Sequence, residues 1–304
     1  VGAAAVIAGF NFLAPYADQL GPTPARALAN FHTLFNLALA VAFLPWIKGY
    51  ARLMVRLLPQ RKEGMEPGAP LYLDPAIRET PALALGAAAR EALRMADTLA
   101  AMLTGARVAL ASPNRAQIGA IQPLDDVLDR LNTAITAYLL SIPPQATKPA
   151  EADRLAQILA FVNNMENAGD LVDRSLLGIA RRRLDRGVAF SPEGEAELIA
   201  LLDRVSANLR LAASLFVGGD EGAARMLVAE KEAFRTVESD AVNAHYQRLR
   251  SGNVSTVETS SLHLDALRDL KQINSHLIEG AAYPVLRARG ALLPTRLRTV
   301  AKRP

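Results

Sequence analysis

An uncharged stretch near the start of the chain most constrains what this chain can fold into. The sequence contains no charged side chain from Ala27 to Ile47. As an α-helix with about 1.5 Å of rise per residue, this stretch would be roughly 30 Å long, which matches the hydrocarbon thickness of a bilayer. The pattern therefore predicts a transmembrane helix.

Cationic residues follow this stretch at helical spacing. Lys48, Arg52 and Arg56 share a face if the helix continues, and Arg61 and Lys62 come shortly after. Lysine and arginine are enriched on the cytoplasmic side of membrane helices, where they also meet anionic lipid headgroups. We therefore expect membrane lipid as a partner, and we expect the rest of the chain to be cytoplasmic.

The predicted membrane helix carries a polar face. His32, Thr33 and Asn36 occupy positions i, i+1 and i+4, so they lie on the same side of the helix. Exposing these groups to lipid is costly, so the face either joins helices together or lines a substrate path. Both alternatives require upstream transmembrane helices of the same chain as partners.

A first apolar segment precedes this helix. Residues 1–17 carry no charge, and residues 18–24 form a turn-rich connection with little positive charge, as expected of an outward-facing loop. We predict that residues 1–58 form a transmembrane hairpin. Because the chain begins with Val1 inside an apolar run, we interpret it as the C-terminal piece of a longer, multi-pass protein of the cell membrane.

The composition narrows the possible classes of protein. A hydrophobic content of 51% and a mean hydropathy of +0.13 fit a chain that is partly membrane-embedded. The absence of cysteine excludes disulfides and thiolate metal sites. The net charge is only +4, and no basic stripe is interleaved with aromatic residues, so nucleic acid is not an expected partner.

After the predicted membrane segment, a stretch rich in helix-breaking residues is followed by a uniformly helical pattern. Residues 59–76 contain several prolines and glycines and are predicted to be a linker. Residues 77–290 are predicted to form helices that end near Leu110, Ile142 and Gly187, followed by another three. We predict an all-α fold, in which a transmembrane hairpin precedes a bundle of two three-helix repeats and a basic tail, residues 291–304.

Related acidic pairs occur in the third and the sixth predicted helices of the bundle. Glu166 and Asp170 are one turn apart in the third helix, and Asp265 and Asp269 repeat this spacing in the sixth. Carboxylates at this spacing repel each other and weaken a bare helix unless a cation compensates. Each pair therefore requires a cationic partner.

Two interpretations of these pairs remain open. The carboxylates could belong to a solvated face on which Arg174 and Arg268 are their ion-pair partners. Alternatively, they could form an all-oxygen site for a divalent metal or iron, since hard cations prefer such ligands. In that case, the neighbouring helices offer further carboxylates, at Asp125, Asp126, Asp129, Glu230 and Glu232.

The sequence contains no recognisable catalytic constellation. It lacks a phosphate-binding glycine loop, a Ser/His/Asp arrangement and an HExxH helix. His245, His263 and His276 stand singly, and a lone helical histidine is more often structural than catalytic. We therefore do not expect an enzyme.

The bundle with its two acidic motifs resembles the PhoU family of phosphate-regulatory proteins, whose repeats carry a metal-cluster motif of this form. The preceding stretch, Ala29–Asn36 followed by Phe43-Leu-Pro45, resembles the last transmembrane region of bacterial sodium/phosphate cotransporters that end in a PhoU-like domain. This resemblance implies the C-terminal portion of a sodium-dependent phosphate transporter. It also implies a metal at the acidic pairs, with sodium and phosphate as transported ions in the full-length protein.

The chain departs from the resembled families in two places. The Gln-Ser-Ser motifs that handle sodium and phosphate in such transporters are absent, so we expect the substrate site upstream. The second acidic motif begins with Asp265 rather than glutamate, and Arg268 could occupy the place of a metal there. The alternative function is a membrane-tethered PhoU-like regulatory or scaffold protein without transport activity. A homodimer is a further possible assembly.

Overall fold

The computed structural model describes residues 23–44, 68–143 and 148–291. The chain divides into two units, residues 1–65 and residues 66–304. In the first unit, the described residues form one α-helix, α1 (Pro24–Phe43). No helix within the described ranges is both apolar enough and long enough to cross a membrane. Helix α1 thus does not meet the prediction of a membrane-spanning helix, and the other segments of the predicted hairpin lie outside the described residues.

The predicted polar face is present on α1. The side chains of His32, Thr33 and Asn36 are exposed and lie along one side of the helix. The Asn36 amide donates to the His32 carbonyl oxygen at 2.9 Å, and the Thr33 hydroxyl donates to the carbonyl oxygen of Ala29 at 3.0 Å. Each of these polar groups is therefore at least partly satisfied within its own helix.

All regular structure in the described residues of the second unit is helical, and no β-strand occurs there, which confirms the all-α prediction. A π-helical segment, Leu171–Leu177, joins two of its α-helices without a break. In chain order, the α-helices are α2 (Pro81–Ala111), α3 (Arg115–Ile121), α4 (Pro123–Leu140), α5 (Pro149–Asp170), α6 (Gly178–Arg186), α7 (Pro192–Gly218), α8 (Glu221–Arg250), α9 (Val254–Glu258) and α10 (Ser260–Ala288).

Local sequence signals set several helix ends. Ser191 precedes α7, and its hydroxyl accepts a hydrogen bond from the Gly194 N–H at 3.2 Å. Gly187 follows α6 with φ of 64°, a left-handed conformation that glycine adopts without strain. The helix end near Gly187 that the sequence predicts is confirmed.

The long helices of the second unit form two halves around a shared core. The first half, residues 81–187, contains α2, α4 and the continuous run from α5 to α6, and the second half, residues 192–289, contains α7, α8 and α10. Helix α10 packs against α5, α7 and α8, while α2 packs against α4, α5 and α7. Phe161 on α5 and Phe216 on α7 stack between the halves, with ring centroids 4.0 Å apart.

The described end of the predicted linker is held against the bundle. The backbone N–H groups of Leu71 and Tyr72 donate to the fully buried carboxylate of Glu91, at 2.9 and 2.8 Å. The Tyr138 hydroxyl donates to the carbonyl oxygen of Asp74 at 2.9 Å. These bonds fix residues 71–74 to α2 and α4. The predicted basic tail lies outside the described residues after Ala291.

Candidate metal centre

The first acidic pair meets a third carboxylate where α4 and α5 pack together. Glu166 and Asp170 are one turn apart on α5 and face Asp129 on α4. One carboxylate oxygen from each residue lies within 4.8 Å of the other two. Within the described ranges, no other three acids or histidines converge this closely. The structure thus brings together the two α5 acids with one of the α4 acids proposed from the sequence.

A glycine in the motif allows this convergence. A Cβ atom at Gly169 would collide with Cδ1 of Leu128 on α4, and it would lie 3.7 Å from Oδ1 of Asp125. A larger side chain at this position would therefore force Leu128 to move. The glycine between Glu166 and Asp170 thus leaves room for Leu128 where the two helices pack.

The surroundings of these carboxylates disfavour their charged forms. Burial, together with the nearby charges of Asp173, Asp129 and Asp170, raises the pKa of Asp125 to about 6. Burial also raises the pKa of Glu166, with Asp170 adding to the effect. We define Asp125, Asp129, Glu166, Asp170 and Asp173 as the first-half acidic cluster. At Asp125 and Glu166, the charges of the neighbouring carboxylates add to the effect of burial, and Arg174 opposes it.

Local cations neutralise this cluster only in part. Nη2 of Arg174 lies 3.0 Å from Oδ1 of Asp170, but the Arg174 side chain is 71% exposed to solvent. Burial raises the pKa of Asp173, while the charges of Arg181 and Arg174 oppose this shift. Oδ1 of Asp173 is buried and has no hydrogen-bond partner. The ion pair expected for Arg174 is therefore present, yet acceptor capacity remains in the cluster.

The residues of the cluster fit a hard metal cation. All of its side-chain donors are carboxylate oxygens, the ligands that Mg²⁺, Ca²⁺, Mn²⁺ and non-haem iron accept. A buried acceptor without a donor, as at Asp173, is costly unless a cation or water satisfies it. Asp173 also lies in the π-helical segment, and π-helical turns occur often at functional sites.

The second acidic pair has a different environment. The Asp269 side chain is 4% exposed and accepts hydrogen bonds from Nε of Arg268 at 3.0 Å and from the hydroxyl of Ser175. Nη1 of Arg268 also lies 3.0 Å from Oδ1 of Asp265. Arg268 therefore bridges the pair, as the ion-pair interpretation describes. Two further candidate ligands are paired with arginines, Glu230 with Arg204 and Glu232 with Arg235.

Sequence reasoning missed a buried polar cluster in the second half. The carboxylate of Glu197 on α7 accepts two hydrogen bonds from Arg248 on α8, both at 2.7 Å. The rings of His245 and His263 stack with their centroids 4.8 Å apart. Nε2 of His263 lies 3.3 Å from Oε2 of Glu197. We call these four residues the second-half polar cluster.

The charges in this second-half polar cluster are matched. Burial would raise the pKa of Glu197, but the hydrogen bonds from His263 and Arg248 outweigh it and bring the pKa to about 2. Burial lowers the pKa of His245 to about 4, with contributions from the charges of His263 and Arg248. Glu197 and Arg248 are far apart in the sequence, so no local spacing reveals their pairing. The third bundle histidine, His276, contacts Oδ1 of Asn164 at 3.0 Å through Nδ1.

Comparison with known proteins identifies the bundle as PhoU-like. The family model of the PhoU domain matches residues 92–174, a range that includes the whole first-half acidic cluster. The crystal structure of PhoU from Pseudomonas aeruginosa aligns with a TM-score of 0.61 and covers 68% of this chain and 97% of that chain. At 18% sequence identity, this likeness shows the fold alone.

Curated relatives match over most of the chain. The protein named "Putative inorganic phosphate export protein YjbB" from Salmonella typhimurium is 36% identical over 286 residues, which is 94% of this chain and 52% of that relative. The protein of the same name from Escherichia coli K12 is 35% identical with the same coverage. The chain spans about half the length of the curated relatives it matches. The chain is therefore similar to the PhoU domain over residues 92–174 and to the YjbB proteins over most of its own length.

Proposed function

We propose that this chain is the C-terminal portion of a phosphate-transport protein and that its PhoU-like bundle regulates phosphate movement across the cell membrane. The observation that carries the proposal is the similarity to the YjbB proteins, named for phosphate export. The alignment of 286 residues is longer than the bundle and so includes residues before it. The similarity therefore is not confined to the PhoU domain.

The proposal includes a direction and a location that the relatives and the sequence suggest. The name of the YjbB proteins favours export, whereas the resemblance to cotransporters favours sodium-coupled movement. Sodium coupling remains part of the proposal, with sodium and phosphate as the transported ions of the full-length protein. The cations at Lys48, Arg52 and Arg56 favour a bundle on the cytoplasmic side of a multi-pass membrane portion.

Within this function, the first-half acidic cluster would hold a divalent metal or iron ion. Asp129, Glu166 and Asp170 would be the primary ligands because their oxygens already converge, and Asp125 and Asp173 border them. Burial raises the pKa of Asp125 and Glu166, and neighbouring carboxylates add to the shift; a bound cation would offset that repulsion. Asp265 and Asp269 would bind metal more weakly, if at all, because Arg268 already pairs with both.

The alternative function is that of a membrane-tethered PhoU-like regulator that transports nothing itself. The observation that favours it is the structural match, because the bundle covers 97% of a PhoU protein and thus includes nearly the whole of that fold. Such a regulator would act on a separate partner, and its bundle would not require a transport path in the same chain.

Phosphate efflux from cells separates the two functions. The complete gene that encodes this chain would be expressed in cells that lack other phosphate exporters, and loss of radiolabelled phosphate would be followed. The proposal expects efflux to rise several-fold with the wild-type gene and to change with Asp170→Asn but not with Arg182→Gln, a control on the exposed surface of α6. Efflux that stays at the level of empty cells would support the regulator without transport.

The proposed topology has a direct test because the chain has no cysteine. A cysteine introduced at Thr23 should react with a membrane-impermeant thiol reagent in intact cells, whereas one introduced at Gly64 should react only after lysis. The reverse pattern would place the bundle outside the cell.

A further inference from the structure

A groove beside the first half of the bundle has the character of an anion-binding site. It lies between α3 and α6 and has a volume of about 420 Å³, a size that accommodates a small ligand. We call it the Arg115–Arg181 groove. Its lining residues are Arg115, Ile118, Gly119, Gln122, Arg181 and Asp185.

Hydrogen-bond donors outnumber acceptors among these side chains. Arg115 and Arg181 enter the groove from two different helices, and the amide of Gln122 adds a third potential donor. The only carboxylate in the lining is that of Asp185, and Nη2 of Arg115 already binds its Oδ1 at 2.8 Å. The donors left over would suit an anion with several oxygens, because guanidinium groups bind such anions through paired hydrogen bonds.

The groove has a closed floor and an open centre. Ile118 is only 2% exposed and packs into the core beneath it. A Cβ atom at Gly119 would meet nothing within 4 Å, so the glycine leaves free space where another residue would project a side chain. The shape is therefore set by these residues of α3.

The arginines that end α6 have separate roles. Arg183 is buried, donates to the carbonyl oxygen of Leu110 and stacks over the ring of Phe190, with Cζ 4.0 Å from the centroid. It supports the fold. Arg182 is exposed but does not line the groove. Arg181 lines the groove and forms no ion pair with an acid of the described ranges, although its charge also lowers the pKa of Asp173.

We propose that the Arg115–Arg181 groove binds the phosphate group of inorganic phosphate. A tetrahedral anion can accept hydrogen bonds from different directions, as the two arginines and Gln122 require. The choice of phosphate among such anions rests on the phosphate-linked function proposed above. The cationic character of the groove is observed independently of that function. The groove would let the bundle respond to the concentration of phosphate.

Calorimetric titration of the purified 304-residue chain with inorganic phosphate, in the presence of a chelator, tests this inference. Arg181→Gln should weaken binding by about tenfold or more, since one charge-assisted hydrogen bond is of that magnitude. Gly119→Met should weaken it similarly without changing any charge, because the longer side chain would fill the groove. Arg182→Gln, the control with the same change of charge on α6, should bind phosphate like the wild type.

Several outcomes would overturn the proposal. They are the absence of phosphate binding, equal losses in Arg181→Gln and Arg182→Gln, and full binding by Gly119→Met. A lipid headgroup offers the same phosphate chemistry, so the variants are also mixed with phosphatidylglycerol vesicles. Vesicle binding that depends on Arg181, without binding of inorganic phosphate, would contradict the choice of free phosphate. None of these results bears on the efflux experiment, so failure of the groove and failure of the proposed function remain distinguishable.

Discussion

The two halves of the bundle differ in how their clustered acids are neutralised. In the first half, several carboxylates lie together with one exposed arginine, Arg174, as their paired cation. In the second half, each of these acids has a cationic partner. Arg268 bridges Asp265 and Asp269. Nζ of Lys271 lies 3.0 Å from Oε1 of Glu238, and Arg248 donates to the Glu197 carboxylate. The same three-helix plan thus accommodates an unbalanced cluster in one half and balanced ion pairs in the other.

This difference separates a binding role from a stabilising one. A buried ion pair with good geometry helps to hold its two helices in one arrangement, but its carboxylate oxygens are already occupied and cannot bind a further cation. Carboxylates that repel one another destabilise the fold unless something compensates, so a bound cation would be most favourable there. The comparison therefore assigns stability to the second half and the candidate metal site to the first.

The largest effect is expected from the second-half polar cluster. Glu197→Gln removes the charge that Arg248 and His263 contact, which leaves Arg248 with an unbalanced charge at a site where its side chain is 14% exposed. We expect a loss of about 3 kcal/mol of unfolding free energy, as measured by urea denaturation. The matched control is Asp203→Asn, on the same helix as Glu197. It breaks the exposed ion pair between Asp203 and Arg107 of α2 and should cost less than about 1 kcal/mol. Equal losses in the two variants would contradict the stabilising role.

A smaller effect is expected at the contact between α4 and α5. Gly169→Ala places a Cβ atom against Leu128, so we expect a loss of about 1–3 kcal/mol from overpacking and a weaker metal site, because the carboxylates move apart. Gly178→Ala is the control, since a Cβ atom there meets nothing within 4 Å and should be neutral or stabilising. Thermal melting and metal titration of both variants would check this, and an unaltered Gly169→Ala protein would argue against the close helix contact.

The smallest effect is the dependence of stability on pH. The pKa of Asp125 is about 6 in the folded chain and 3.8 in the unfolded reference, so its contribution to stability is present below pH 3.8 and is lost as the pH rises through about 6. Solvent exposure limits this effect to about 1 kcal/mol. Asp125→Asn should therefore flatten the decline in melting temperature between pH 4 and 6 in metal-free protein. A decline of unchanged size would exclude Asp125 as its source.

Glu197 should show the opposite sign in the same pH series. Its pKa falls from 4.5 in the reference to about 2 in the fold, so its contribution is present above pH 4.5 and is lost as the pH falls towards 2. The two halves thus lose stability at opposite ends of the acidic range.

The sequence predicted the features that local patterns determine. Helix periodicity and the helix end near Gly187 predicted the bundle and its division into halves, with α2 ending at Ala111 where Leu110 was expected. The pairing of Arg268 with both second-half acids was also foreseeable, since these residues lie within one helical turn.

Features that depend on packing between distant segments were not predictable in the same way. The bond between Glu197 and Arg248 joins different helices, and so do the contacts of Glu91 with Leu71 and Tyr72. The selection of Asp129 from the acids of α4 depends on how that helix packs against α5. Hydrophobic periodicity carries none of this information.

The central claim is that the first half of the bundle, and not the second, holds a metal ion. Calorimetric titration of the purified chain with Mn²⁺ tests it most directly, with thermal melting to confirm that each variant is folded. We expect the wild type and Asp269→Asn to bind Mn²⁺ with similar affinity and to melt at a higher temperature when it is present, whereas Asp170→Asn should bind at least about tenfold more weakly. Equal binding by all three proteins, or no metal-dependent heat in any of them, would contradict the account.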